Sequence, residues 1–243
     1  MNIKTISLSS IVACLLFIEG CSKNDATPSS CQLINYNGEV YTYVNTKLTS
    51  GKASCCYSIT YSYDNQNRVI QTVENSGSTT TSILYYDRNN NVIRTIDSDL
   101  INQSTSHTII TYNSSGQRIK QQSYSYTPSA NSNPADSTLL GESTYQYPNT
   151  STHNYSSLSM TIYYSGVPFN YEYTYEYDNK VNPSRHLFNF NPFNETDNNQ
   201  VQIAMTSPSS ITTNYVYTYN SNGYPLTSTA DGTISTYTYS NCK

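Results

Sequence analysis

The sequence predicts an all-β fold, an antiparallel meander of about 10 to 14 strands curved into an open or barrel-like sheet. Three observations carry this reading. A ten-residue pattern recurs four times along the chain, each time with a turn at its centre. The residues flanking that turn alternate apolar and polar, the period of a half-buried strand. Beyond the first twenty residues no stretch carries an apolar stripe at helical spacing, and the content of Ser, Thr, Asn and Tyr, with 26 Tyr in 243 residues, disfavours helices.

In chain order, residues 1–20 read as a signal peptide: Lys4, an apolar stretch from Ile6 to Ile18, then Gly20 before Cys21. The run ends at Glu19, short of the about 20 apolar residues that a membrane-spanning helix requires. Residues 21–30 read as a tether and residues 31–243 as a single repetitive β domain, a length that one all-β unit can take. Ile18-Glu19-Gly20-Cys21 resembles the lipobox of bacterial lipoproteins, which implies lipid attachment at Cys21 and a membrane as partner. Cys21-Ser22-Lys23-Asn24-Asp25 is similar to the export signal of Bacteroidota surface lipoproteins. That resemblance implies an outer-membrane lipoprotein exposed at the surface, with a periplasm-facing anchor as the alternative.

Within the domain, Asn37-Gly38 lies between Ile34-Asn35-Tyr36 and the alternating run from Glu39 to Val44, a tight hairpin signal. The repeat then occupies Tyr61 to Ile70, Leu84 to Ile93, Ile110 to Ile119 and Tyr217 to Leu226. Each copy has Tyr followed by Asp or Asn, two polar residues, Asn or Gly, and an Ile or Leu three places later. The Asx side chain folds onto the backbone ahead of it, and the Asn or Gly accepts the positive φ that reversal demands. The unit is therefore a β-hairpin. Weaker copies lie at Tyr145 to Thr150 and Tyr175 to Lys180, and the Pro-, Asn- and Ser-rich stretches 127–136 and 182–200 read as loop excursions.

Four cysteines besides Cys21 follow the signal: Cys31, Cys55, Cys56 and Cys242. In an exported chain they suggest disulfides. Neighbours on a strand point to opposite faces, so Cys55 and Cys56 are expected to have different partners, one taking Cys31 and the other Cys242. Zinc is the alternative, but there is no CxxC spacing and His107, His153 and His186 are scattered, so no metal and no cofactor are expected.

The copy Tyr63-Asp64-Asn65-Gln66-Asn67-Arg68-Val69 resembles the YD repeat of bacterial Rhs proteins, with Asn67 in the place of Gly. The chain has far fewer copies than an Rhs shell. It is also similar to small tyrosine-rich lipoproteins of Bacteroidota, including porin-like domains of unknown function, and that resemblance brings no biochemical activity with it.

Tyr171, Tyr173, Tyr175 and Tyr177 alternate with Glu172, Thr174 and Glu176, and Tyr215, Tyr217 and Tyr219 repeat the arrangement. One reading is packing, with rings filling the sheet's inner face and hydroxyls reaching backbone or water. The other is a ligand face, a tyrosine ladder on which sugar rings stack or which lines an apolar cavity. Support for catalysis is thin: there is no HExxH, no GxSxG and no phosphate-binding glycine loop. Glu172 and Glu176 share a strand face at about 13 to 14 Å, too far to act as a glycosidase pair. Asp64, Asp87 and Asp178 read as turn residues, with too few carboxylates per turn for calcium. Asp136-Ser137-Thr138 resembles the O-glycosylation acceptor of Bacteroidota envelope proteins, which implies modification at Ser137.

A net charge of −4 with no basic cluster gives no face for nucleic acid. The reading is a non-enzymatic binding or interaction module of the cell envelope, with a glycan or an envelope protein as partner. Its rivals are a structural envelope protein whose sheet packs against partners and a glycan-processing enzyme whose acids converge only in space.

Overall fold

A computed structural model describes residues 31–53, 57–102, 104–126, 137–186 and 196–242. The signal peptide, the tether with Cys21, Cys55 and Cys56, and the excursion 127–136 lie outside the described residues. Seventeen strands are present among the described residues. They are β1 (Gln32–Tyr36), β2 (Glu39–Val44), β3 (Lys47–Lys52), β4 (Ser58–Tyr63), β5 (Val69–Asn75), β6 (Thr79–Tyr86), β7 (Val92–Asp99), β8 (Ser104–Tyr112) and β9 (Arg118–Tyr126). The series continues with β10 (Thr138–Gln146), β11 (Ser157–Tyr164), β12 (Val167–Val181), β13 (Asn198–Ser207), β14 (Ile211–Asn214), β15 (Val216–Tyr219), β16 (Pro225–Ala230) and β17 (Thr233–Ser240). A 3-10 turn at Pro183–His186 follows β12.

The all-β meander is as the sequence predicts, but the strands outnumber the expected 10 to 14. The excess has a local cause. β3 reads Lys-Leu-Thr-Ser-Gly-Lys and shows no apolar alternation, and β14 and β15 are one extended segment interrupted at Tyr215. The excursion expected at 182–200 also ends early, because β13 begins at Asn198.

Each strand pairs antiparallel with the next in sequence except β14 and β15, which follow one another in a single rank, and β17 returns to pair with β1 through Leu33 with Tyr239 and Tyr36 with Tyr237. The step in this ring is at Tyr215, where β14 lies against β13 and β15 against β16. An up-and-down meander can close antiparallel only with an even number of ranks. With β14 and β15 counted as one rank, the seventeen elements give sixteen. The sheet is a nearly closed barrel.

Alternating strand direction sends successive turns to opposite ends. One end, the Asx rim, carries the repeat turns at 64–68, 87–91, 113–117 and 220–224 together with the start of β1. The other, the hairpin rim, carries tight turns such as Asn37-Gly38, Ser165-Gly166 and Asp231-Gly232, whose positive φ values suit two-residue hairpins.

The four repeat turns are built alike. Asp64 Oδ1 accepts the backbone N–H groups of Gln66 and Arg68, both at 2.9 Å. Asp87 does the same for Asn89 and Asn91, Asn113 for Ser115 and Gln117, and Asn220 for Asn222 and Tyr224. Asn67, Asn90, Gly116 and Gly223 supply the positive φ. The hydrogen bonds from Arg68 hold the Asp64 carboxyl below its ordinary range, despite an opposing desolvation contribution.

The tyrosine ahead of the first three of these turns has a second role. Immediately after the turn the outgoing strand contains a one-residue bulge, at Thr49, Ile70, Ile93, Ile119 and Leu226, and β1 has another at Ile34. A bulge interrupts the ladder locally. At five of these six bulges the carbonyl just before the bulge accepts a hydrogen bond from a tyrosine hydroxyl in, or directly after, the following strand. Tyr43 donates to Leu33 O at 2.9 Å, Tyr63 to Leu48 O and Tyr86 to Val69 O at 2.6 Å, Tyr112 to Val92 O and Tyr147 to Arg118 O at 3.0 Å. These rings point into the barrel and pack on its inner wall.

That wall holds three local clusters rather than one central core. Leu33, Tyr41, Leu48, Ile59 and Tyr61 form the first, Leu84, Val92 and Ile110 the second, and Tyr145, Tyr155, Leu158 and Tyr175 the third. Packing is mainly between sheet neighbours, and the 3-10 turn crosses to touch β1. The pairing register places Ser58, Thr60 and Ser62, Lys120 and Glu142, and Thr227 and Thr236 on the outer face, together with apolar residues at Ile83, Ile96 and Ile109 and at Val216 and Ile234.

Cys31 is bonded to Cys242. This corrects the expected pairing of each with Cys55 or Cys56. β1 and β17 are adjacent, so the two ends of the domain meet at the Asx rim, while Cys55 and Cys56 lie outside the described residues. The bond closes a sequence separation of 211 residues, worth about 5 kcal/mol if it acts by restricting the unfolded chain. Replacing Cys31 with Ser is expected to cost roughly 2–5 kcal/mol, lowering the thermal midpoint by roughly 5–15 °C in a calorimetric scan. A change of under about 2 °C would refute closure as a stabilising constraint.

The tyrosine bond to the bulge is separable from ring packing. Tyr86→Phe should cost about 1–2 kcal/mol by urea denaturation, because it leaves the Val69 carbonyl without its donor. Tyr85→Phe, on the outer face, should stay within about 0.5 kcal/mol.

Candidate functional site

A cleft of about 260 Å³ lies in the lumen beside the step between β13 and β15. Its walls are Tyr215 and Tyr217 from the stepped strand, Tyr36 of β1 and Tyr237 of β17, with Ser228, Thr233 and Ser235 between them. The floor is Asn182, Pro183 and Ser184 together with Thr196, Asn199 and Gln200. No lining side chain carries a formal charge.

The step explains why a cleft forms here. Tyr215 N–H still reaches Val201 O at 2.8 Å, but beyond it the ladder between β13 and β15 gives way to side chains. Tyr217 OH donates to Gln200 O at 3.1 Å, and Tyr219 OH donates to the Asp178 carboxylate. Asp178 also accepts the N–H groups of Lys180 at 2.9 Å and Asn199 at 3.1 Å, so one carboxylate ties three strands together. The rings of Tyr215, Tyr217 and Tyr219 stack in a row, with centroids 6.5 and 6.0 Å apart. Burial raises the pKa of Tyr217 and pushes that of Tyr237 up to about 12, so both stay neutral hydroxyls at physiological pH.

The floor is fixed by a polar network. Asn182 Nδ2 donates to Thr196 Oγ1 at 2.9 Å, and Asn182 N–H donates to Asp197 O at 3.1 Å. Asp197 pairs with Arg185 and accepts His153 N–H at 2.9 Å, with His153 Nδ1 at 3.4 Å. Burial raises the Asp197 pKa, but hydrogen bonds from His153 and the Arg185 charge outweigh it and bring the carboxyl down to about 2.

The structure divides the tyrosines picked from the sequence. Tyr215 and Tyr217 line the cleft, and Tyr219 closes the seam beside it. Tyr173, Tyr175 and Tyr177 pack against Tyr155 and Leu158, with Tyr177 OH bonded to Tyr155 O at 3.0 Å. Tyr171 stands opposite Met160, nearer the hairpin rim. Tyr155 belongs to no repeat, yet it is 2% exposed and its ring meets four tyrosines edge-on. Glu172 and Glu176 are exposed on the outer face, where Ser159 Oγ donates to Glu172. Ser137 lies just ahead of β10. His107 stacks on Tyr124, away from the cleft. Among the described residues no cluster of three or more His, Cys, Asp or Glu side chains could hold a metal ion.

The sequence reading missed Tyr36, Asn182, Thr196, Asn199, Gln200 and Tyr237 as site residues. Only the Pro-rich composition of 182–200 marked the floor, and it marked it as a loop.

No protein-family model and no curated protein matches the chain. Solved structures do. The chain is similar to porin-like proteins of Bacteroides. The one from Bacteroides uniformis superposes with a TM-score of 0.55 at 15% identity, over 83% of this chain and 90% of that one. The one from Bacteroides vulgatus gives 0.48 at 10% identity, over 84% of this chain and 98% of that one. The first likeness establishes the shared barrel fold.

The floor network gives a pH dependence. The Asp197 carboxyl is depressed on folding, so its contribution is present above the unfolded value near 3.8 and is lost as pH falls through about 2. Urea unfolding should show Asp197→Asn less stable than the parent at pH 6, by roughly 1–2 kcal/mol after solvent screening. The gap should shrink below pH 3, and a gap constant down to pH 2 would contradict the assignment.

Proposed function

We propose that this chain is a non-enzymatic binding protein of the cell envelope, held to the outer membrane by lipid on Cys21, whose tyrosine-walled cleft takes a neutral saccharide. The cleft carries the reading. Stacked tyrosine faces suit the apolar face of a sugar ring, and Asn, Ser, Thr and Gln side chains suit its hydroxyls. An uncharged lining favours an uncharged ligand, because a desolvated charge would find no counter-ion there.

The outer face supports a water-facing barrel. A lipid-facing barrel wall needs an apolar band about 25 Å tall, with aromatic girdles at its edges. Here polar residues such as Ser58, Thr60, Ser62, Lys120, Glu142, Thr227 and Thr236 interrupt the outward face, so attachment falls to the N-terminal lipid. The porin-like likeness supports an envelope setting without requiring a pore in this chain.

Titration with neutral oligosaccharides tests the cleft. Tyr215→Ala should weaken binding about tenfold, because it removes a stacking face without cutting a bond to the backbone. A glycan array without any hit for folded protein, or an unchanged affinity in Tyr215→Ala, would count against saccharide recognition. Cys21→Ser should release the protein from membranes washed in high salt, and retention after that wash would remove the lipid anchor.

A further inference from the structure

We propose that the Asx rim is an interaction surface of its own, which seats the barrel against an anionic lipid bilayer. The idea extends the anchored reading above, but observations separate from the cleft carry it.

Charge is divided between the two ends. Of the nine described Lys and Arg residues, only Lys52 lies toward the hairpin rim. Lys47, Arg88 and Lys180 are exposed at the Asx rim. The acids at that rim are engaged locally: Asp64 and Asp87 accept amides of their own turns, Asp178 holds the seam, and Asp197 faces Arg185. The hairpin rim has the opposite balance, with Glu39, Glu74, Asp97, Asp99 and Asp231 against Lys52. An anionic surface therefore attracts one end and repels the other.

Each repeat also places an aliphatic side chain just above the Asx rim. The bulge residues Ile70, Ile93, Ile119 and Leu226 are 37–43% exposed, while their neighbours Val69, Val92, Arg118 and Pro225 turn inward. The bulge that creates the tyrosine's acceptor thus also leaves a hydrophobic residue on the surface. Branched chains around a basic rim are the composition of an interfacial footing, which combines apolar insertion with attraction to headgroups.

The chain itself indicates which end faces the membrane. Cys31 and Gln32 are at the Asx rim, where Gln32 Nε2 reaches Asn45 O, and the ten residues before Cys31 span roughly 33 Å at full extension. A lipid on Cys21 would hold this rim within reach of headgroups. The hairpin rim has the more exposed apolar tips, Leu100 at 69% and Tyr164 at 75%, but its acidity opposes an anionic bilayer.

The test uses the chain from Ser22 onward, which lacks the lipid site and keeps the whole closed barrel. It is floated with vesicles of phosphatidylcholine alone and with about a third phosphatidylserine, at low and high salt. Each basic residue near the surface adds roughly fivefold to partition, so binding to anionic vesicles should exceed binding to neutral ones at least tenfold and fall away in high salt. The triple change Lys47→Glu, Arg88→Glu and Lys180→Glu should abolish that excess, and Ile93→Ser with Ile119→Ser should reduce it a few-fold. Leu100→Ser with Ile101→Ser should leave it unchanged. If the triple variant loses its thermal transition, Arg88→Glu alone, at an exposed turn position, should still lower partition a few-fold. Equal binding to both vesicle types, or loss of binding through Leu100 and Ile101 instead, would overturn the proposal. No lipid is attached in this assay, so its failure would leave the Cys21 anchor to the salt-washed fractionation.

Discussion

The barrel depends on the hydrogen bond from a tyrosine hydroxyl to the carbonyl in front of a bulge. A chain with few Leu and no Trp must build its wall from rings that carry a polar atom, and a buried hydroxyl needs a partner. A bulge needs one as well, because its extra residue disturbs the ladder. Each defect supplies what the other lacks. Tyr43, Tyr63, Tyr86, Tyr112 and Tyr147 each hold the preceding strand in this way, so register passes from one hairpin to the next around the wall. Stability is then distributed along the sheet, as in repeat proteins, rather than concentrated in a central core.

This arrangement accounts for what the sequence disclosed. The turns were legible because the Asx at the first position and the Asn or Gly at the fourth each perform a local task that depends on residue type. The packing of Tyr173, Tyr175 and Tyr177 followed from alternation, and the strand period also placed Glu172 and Glu176 outside. Local pattern could not show what joins across the barrel. The Cys31–Cys242 bond follows from ring closure, a property of strand number and direction. The cleft follows from a step at Tyr215, inside a tyrosine row that looks uniform in sequence. Its floor comes from Asn182, Pro183, Ser184, Thr196, Asn199 and Gln200, in a stretch whose composition signals a loop and does not show that these residues line the lumen.

The two rims divide the labour of the molecule. At one, Asx turns, bulges and basic side chains recur with the repeat, so their properties are those of the ring as a whole. At the step, by contrast, the repeat fails, and the lumen gains a neutral cleft where a strand has changed partners. Regularity thus provides the scaffold, and a single departure from it provides the site. Asp178 joins the two roles: a turn acid by sequence, it stands in for the missing ladder between β13 and β15.

The even rank count limits how such a protein can change in size. Adding or deleting one strand would bring β1 and β17 together parallel, with both the closing ladder and the Cys31–Cys242 geometry lost. A whole repeat hairpin, such as β4–β5 or β6–β7, can be duplicated or removed without that cost, since it brings its own turn, bulge and tyrosine. Heritable length variation in this architecture should therefore come in units of two strands, widening or narrowing the lumen in discrete steps while the seam and the terminal staple persist.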